Sequence, residues 1–248
     1  MKRTAILCLL LFVLPGAALA AGTEFTVTPS GIDIHALYNG TSISVAGTVP
    51  DGCQVVLRFT GAPEELRMKQ KGKALGLLWM NMNTLHFGTV PKVCLVESSA
   101  PLEGLGQAGA ALGLEGLAEK VTIEPASADR AMLLPELLKL KRSEGLYRQA
   151  SGAVVLNEKS GEQRKFSATL AIPSRLSPGA YAVEVFAVKD GLVLAESAKA
   201  MDVKLTGAPA LLADLAFNHA AWYGVLASVI AILAGLGIGL VFQSKEPH

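Results

Sequence analysis

One stretch limits this chain more than any other. Trp222–Phe242 reads WYGVLASVIAILAGLGIGLVF, twenty-one residues without a formal charge. At about 1.5 Å per residue such a helix is about 31 Å long. The hydrocarbon core of a bilayer is about 30 Å thick, so the run is long enough to cross it. Its length and lack of charge argue against a buried core helix. We therefore expect a transmembrane helix over residues 220–242, entered through a linker over 207–219 and followed by a cytoplasmic tail over 243–248. Ala227, Ala231, Gly235 and Gly239 recur every fourth residue, the small-residue stripe that lets two helices approach closely. The plainer reading is that Gly and Ala are common in spans.

The N-terminus adds a second constraint. It reads MKRTAILCLLLFVLPGAALA, with Lys2 and Arg3 before an apolar run and Ala18-Leu19-Ala20 as a small-residue cleavage site. This is the pattern of a signal peptide over residues 1–20. The apolar run Thr4–Leu14 is short for a span. Cys8 lies inside the removed segment and not at its junction, which excludes a lipoprotein. Export followed by a stop-transfer helix gives a single-pass protein of the inner membrane, with a large periplasmic domain and the C-terminus in the cytoplasm. Lys245 on the inner side and Trp222 and Tyr223 at the outer interface agree with that direction.

Between the ends the chain alternates as strands do. Residues 21–100 form a first β-sandwich region. Ser42–Thr48 and Cys53–Thr60 flank Pro50-Asp51-Gly52 and read as a hairpin, with Cys53, Val55, Leu57 and Phe59 on one face. Residues 101–148 are a helical insertion, with Ser127 as the expected N-cap and a leucine stripe (Leu133, Leu137, Leu140); Pro135 either starts this helix at its first turn or kinks it, and a start near Pro135 is the expectation. Residues 149–206 return to strands in a second, immunoglobulin-like β region. There Asp190-Gly191 is the strongest hairpin signal in the chain. The expected fold class is mainly β: immunoglobulin-like β-sandwich modules, a short helical insertion and one C-terminal transmembrane helix.

Candidate chemistry is sparse. The formal net charge of +1 offers no strong field for nucleic acid. There is no Gly-x-Ser-x-Gly, His-Glu-x-x-His, phosphate-binding glycine loop or Cys-x-x-Cys, so no enzyme and no cofactor is expected. Cys53 and Cys94 are a disulfide candidate in an oxidising compartment; the other reading is two separate buried thiols. Met80, Met82 and His86, beside Trp79, have the soft donors of a copper(I) site. Against that stands a strand whose methionines face the core. His35 and His219 are far off in sequence. Arg67, Lys69, Lys71 and Lys73 line one side of a segment, as a charged edge that blocks sheet-to-sheet pairing or a contact for anionic lipid.

Short motifs in a fixed order run along the mature chain: Gly31-Ile32-Asp33-Ile34, Gly76-Leu77-Leu78-Trp79-Met80-Asn81, Phe87-Gly88-Thr89-Val90-Pro91, Ser98-Ser99-Ala100-Pro101-Leu102, Glu144-Gly145-Leu146-Tyr147, Ile172-Pro173 and Pro178-Gly179-Ala180-Tyr181. With these and the final span, the chain resembles a family of uncharacterised alphaproteobacterial transmembrane proteins. The resemblance implies a periplasmic domain anchored in the inner membrane, and it associates the family with sulfite-exporter-type permeases encoded nearby. It brings no functional residues. Cys94 stands where that family usually has an aromatic residue, so a disulfide there would not be a family feature. The expected function is that of a membrane-anchored accessory protein, its partners being the bilayer and either a transporter or a second copy.

Overall fold

The structure is a computed structural model and describes residues 23–74, 77–125 and 128–243. The expected signal peptide, Ser127 and residues 244–248 of the expected tail lie outside the described residues.

Two sheets form a sandwich. The first has four strands in the order β1 (Phe25–Thr28), β3 (Thr41–Pro50), β11 (Gln163–Ile172), β10 (Val155–Ser160). The second has six: β2 (Gly31–Ile34), β13 (Leu192–Leu205), β12 (Gly179–Lys189), β4 (Gln54–Gly61), β7 (Cys94–Ser98), β9 (Tyr147–Ser151). Each sheet takes strands from both of the expected β regions, so those regions are halves of one sandwich and not two modules. Alternating residues of β3, β11, β4 and β12 close a single core between the sheets. Ile43, Val45, Leu57, Phe59, Phe166, Leu170, Val183 and Val185 are all buried there. Phe59 stacks on the Tyr181 ring, centroids 5.2 Å apart, and the Tyr181 hydroxyl donates to the Ser177 carbonyl at 2.7 Å.

Pro50-Asp51-Gly52 does not join a hairpin. It carries the chain from β3 in one sheet to β4 in the other, and the Cys53 amide donates back to the Pro50 carbonyl at 3.3 Å. Asp190-Gly191 does make its hairpin. Both residues take positive φ, 52° and 79°, which matches the twist of β12 and β13.

The six-stranded sheet is covered on both faces. Its second face, with Val56, Val96, Phe186 and Val188, packs under a helical layer. That layer holds a 3-10 turn (Leu102–Leu105), α1 (Gly106–Leu112), α2 (Leu114–Ala118) and α3 (Arg130–Ser143). A strand buried on two sides reads as continuous apolar sequence, and Val55-Val56-Leu57 is such a run. α3 begins at Arg130, five residues ahead of the expected start. The Asp129 carboxylate accepts from the Met132 amide at 3.2 Å and caps it. Pro135 lies inside the helix, at the cost of the one hydrogen bond its missing N–H would have made.

The expected linker is also structured. Gly207 turns the chain with φ 66° into α4 (Ala208–Asn218), which has Pro209 in its first turn. α5 (Ala220–Gln243) follows, and its apolar window has no residue buried in the body.

Candidate functional site

The remaining strands make a two-stranded arm. β5 (Pro63–Ala74) and β6 (Leu78–Pro91) pair antiparallel, and β8 (Thr122–Glu124) adds a third strand along the inner part of β6. The arm extends the β4–β7 pairing without a break in register. Thr60 faces Cys94 in the sheet, Pro63 faces Pro91 just beyond it, and the Lys92 amide donates to the Ala62 carbonyl between them at 3.2 Å. At the exit Gly61 lies against the Tyr181 ring, where a Cβ would sit 2.8 Å from a ring carbon. A bulge at the base turns the ladder, with Thr89 at φ 60°.

Register also fixes where the arm starts. Gly61 is level with Tyr181 on β12, and Tyr181 is level with Met201 on β13. β13 ends at Leu205 and leads through α4 into α5. The arm and the apolar helix therefore spring from the same end of the six-stranded sheet.

The arm has two parts. Its inner half is supported: Leu85, Phe87 and Val90 are buried against the helical layer, with Leu66 and Met68 half-buried beside them. Its outer half stands free. Leu77 is 84% exposed, Leu78 68%, Met80 51% and Met82 53%. On the face opposite Leu66 and Met68, Arg67, Lys69 and Lys71 are exposed, opposite His86, Thr84 and Asn81 of β6.

These positions correct two expectations. Met80 and Met82 face solvent and not the core. An extended strand also separates Met80 from His86 by about 20 Å, so the three donors do not converge on one ion. Among the described residues no group of three or more His, Cys, Asp or Glu is placed to hold a metal. Cys53 and Cys94 are both free and buried. Cys53 packs in the sandwich core and Cys94 under the helical layer. Cys94 is level with Thr60, seven residues along from Cys53, about 23 Å on a strand. A disulfide needs Cα atoms within about 7 Å. Burial pushes the Cys94 thiol up to about 12, and neither thiol is activated.

The histidines are also apart. His35 lies in the loop after β2, where its Nδ1 accepts from the Leu37 amide at 3.2 Å. His86 is on the arm between Arg67 and Glu124, and His219 joins α4 to α5. The stripe Ala227, Ala231, Gly235, Gly239 lies on α5, and the body leaves it uncovered.

Buried and half-buried charges, which sequence reasoning missed, form scaffold pairs. Arg58 Nε donates to Glu184 at 2.7 Å across β4 and β12, with the guanidinium 4.9 Å from the Phe186 ring centre. Lys141 of α3 reaches Glu64 at the arm base, 2.9 Å, and lies 5.9 Å from the Tyr147 ring centre. Glu97 accepts from Arg148 at 3.1 Å. Burial raises its carboxyl above the usual range, and the guanidinium only partly offsets this. The signal was present: a single charge in a strand otherwise apolar on both faces requires a partner. An open groove of about 820 Å³ lies between Thr26, Thr48, Lys165 and Lys199. Lys199 there lies 5.1 Å from the Phe25 ring centre.

No curated protein matches the chain. Residues 23–244 match the model of the family described as "Putative transmembrane protein (Alph_Pro_TM)", and the chain belongs to that family.

Proposed function

We propose that this chain is a non-enzymatic accessory protein of the inner membrane, with its β-rich body in the periplasm, and that it acts by docking on a membrane-embedded partner. The observation that carries this reading is α5: the body packs on none of its apolar window, so its whole surface is open to lipid and to other helices. The stripe Ala227, Ala231, Gly235, Gly239 offers that surface a face for close approach. The buried charges add support, because Arg58, Lys141 and Arg148 are each spent on a carboxylate of the scaffold. The family resemblance points to a sulfite-exporter-type permease as the partner class.

Photo-crosslinking from positions around α5 in native membranes tests the proposal. The expected result is one adduct with a multi-spanning protein, formed from the Gly235 face and lost in Gly235→Leu. Absence of any protein adduct around the whole helix rejects it. A tag placed before Trp222 that is reached only from the cytosol rejects the topology.

A further inference from the structure

We propose that the β5–β6 arm from Arg67 outward is a lipid-contact site that holds the anionic phospholipid headgroups of the leaflet facing the body. Three observations meet there. The first is charge. Between Leu66 and Pro91 the sequence carries Arg67, Lys69, Lys71 and Lys73 and no Asp or Glu. The whole chain sums to +1, so everything outside that stretch, Glu64 and Glu65 at the arm base included, is net −3. Arg67, Lys69 and Lys71 are exposed on one face of β5, about 7 Å from one to the next. The second is the tip. Leu77, Leu78, Met80 and Met82 are large apolar side chains left in the open. A charged edge that only blocked strand pairing would use the lysines and leave the tip polar. Cations next to exposed apolar groups are the composition of an element that lies in the membrane interface.

The third observation is position. The arm leaves the same end of the six-stranded sheet as the chain that enters α5. Only α4 lies between them, eleven residues or about 16 Å of helix. α4 itself exposes Leu211, Leu212 and Phe217. β5, with twelve residues, reaches about 40 Å. Leu78 and Met80 pair with Ala74 and Gly72, on the face opposite the cations, so the arm meets the bilayer tip first: the apolar tip reaches the acyl boundary, and the long Lys and Arg stems behind it bring their charges to the phosphates.

The test uses the full chain in lipid nanodiscs, with a fluorophore on Leu78→Cys and a quencher on the lipid tails. Cys53 and Cys94 are buried, and Cys8→Ser leaves the label selective. Nanodiscs of pure phosphatidylcholine are compared with an equal mixture of phosphatidylcholine and phosphatidylglycerol. The expected result is strong quenching in the anionic discs only. At about fivefold per cation, the combined variant Arg67→Gln, Lys69→Gln, Lys71→Gln lowers the docked-to-free ratio on the order of a hundredfold. A label on Glu158→Cys, at the opposite end of the sandwich, stays unquenched. Quenching absent in both lipids overturns the proposal. So does equal quenching in both, or quenching unchanged in the triple variant. A tip shielded from a water-soluble quencher in pure phosphatidylcholine is covered by protein, and that outcome overturns it too. None of these results depends on whether α5 captures a partner.

Discussion

One ladder serves two regions of this molecule differently. From Gln54 to Gly61 it runs through the centre of the six-stranded sheet, between β12 and β7, with apolar side chains packed on both faces. From Pro63 to Ala74 the same pairing continues outside the sheet, covered on one face at its base and on neither at its tip. Hydrogen-bond register is common to both. Burial is what separates them: the inner stretch is held by packing, while the outer stretch keeps large apolar and cationic side chains that packing does not require.

The sharpest break in this comparison is a cavity in the inner stretch. Phe59→Ala should cost about 3–5 kcal/mol, read from urea unfolding of the detergent-solubilised chain. Arg58→Met should cost about 2 kcal/mol, because Glu184 then stays largely buried without its partner. Adding Glu184→Leu should return most of that loss, and a double variant no better than the single would show that the pair contributes beyond its burial. At the junction, Thr89→Gly should gain about 1 kcal/mol by relieving a β-branched residue held at φ 60°; a loss would mean the Thr89 side chain supports the bend.

Glu97 gives a gentler effect. Its folded-state carboxyl titrates above its unfolded value, so the folded state binds the proton more readily. Its contribution to stability is therefore full below the unfolded value and is lost as pH rises through the folded value. Glu97→Gln should flatten that part of a stability-against-pH curve, and an unchanged curve would remove the assignment. The smallest effect is expected at the tip, where Met80→Ser and Met82→Ser should each change stability by less than about 0.5 kcal/mol. A larger loss would mean the outer arm is packed after all.

Much of the inner region was legible in the sequence. The face formed by Val55, Leu57 and Phe59, the Asp190-Gly191 hairpin and the apolar final helix follow from periodicity and turn chemistry alone. The partners of strands did not. Pro50-Asp51-Gly52 has the composition of a hairpin turn, but turn chemistry is local and does not say whether the next strand pairs or crosses to a second sheet. The arm hid for the same reason: the alternation of Arg67, Lys69 and Lys71 was plain, yet the continuity of Thr60–Cys94 pairing into Pro63–Pro91 is a long-range fact. That fact also separates Cys53 from Cys94. α4 takes the place of the expected linker, and Leu211, Leu212 and Leu215 have helical spacing behind Gly207 and Pro209.

β2 pairs parallel with β13, so that Gly31 meets Asp202 and Ile34 meets Leu205. A ribosome working from the N-terminus makes β2 among the first strands and β13 as the last. The body must wait, with β3 and β4 also lacking β11 and β12, until synthesis has nearly reached the anchor. Such distant pairings close slowly and leave strand edges open meanwhile. Maturation of this protein is therefore tied to the moment its final helix is delivered to the bilayer.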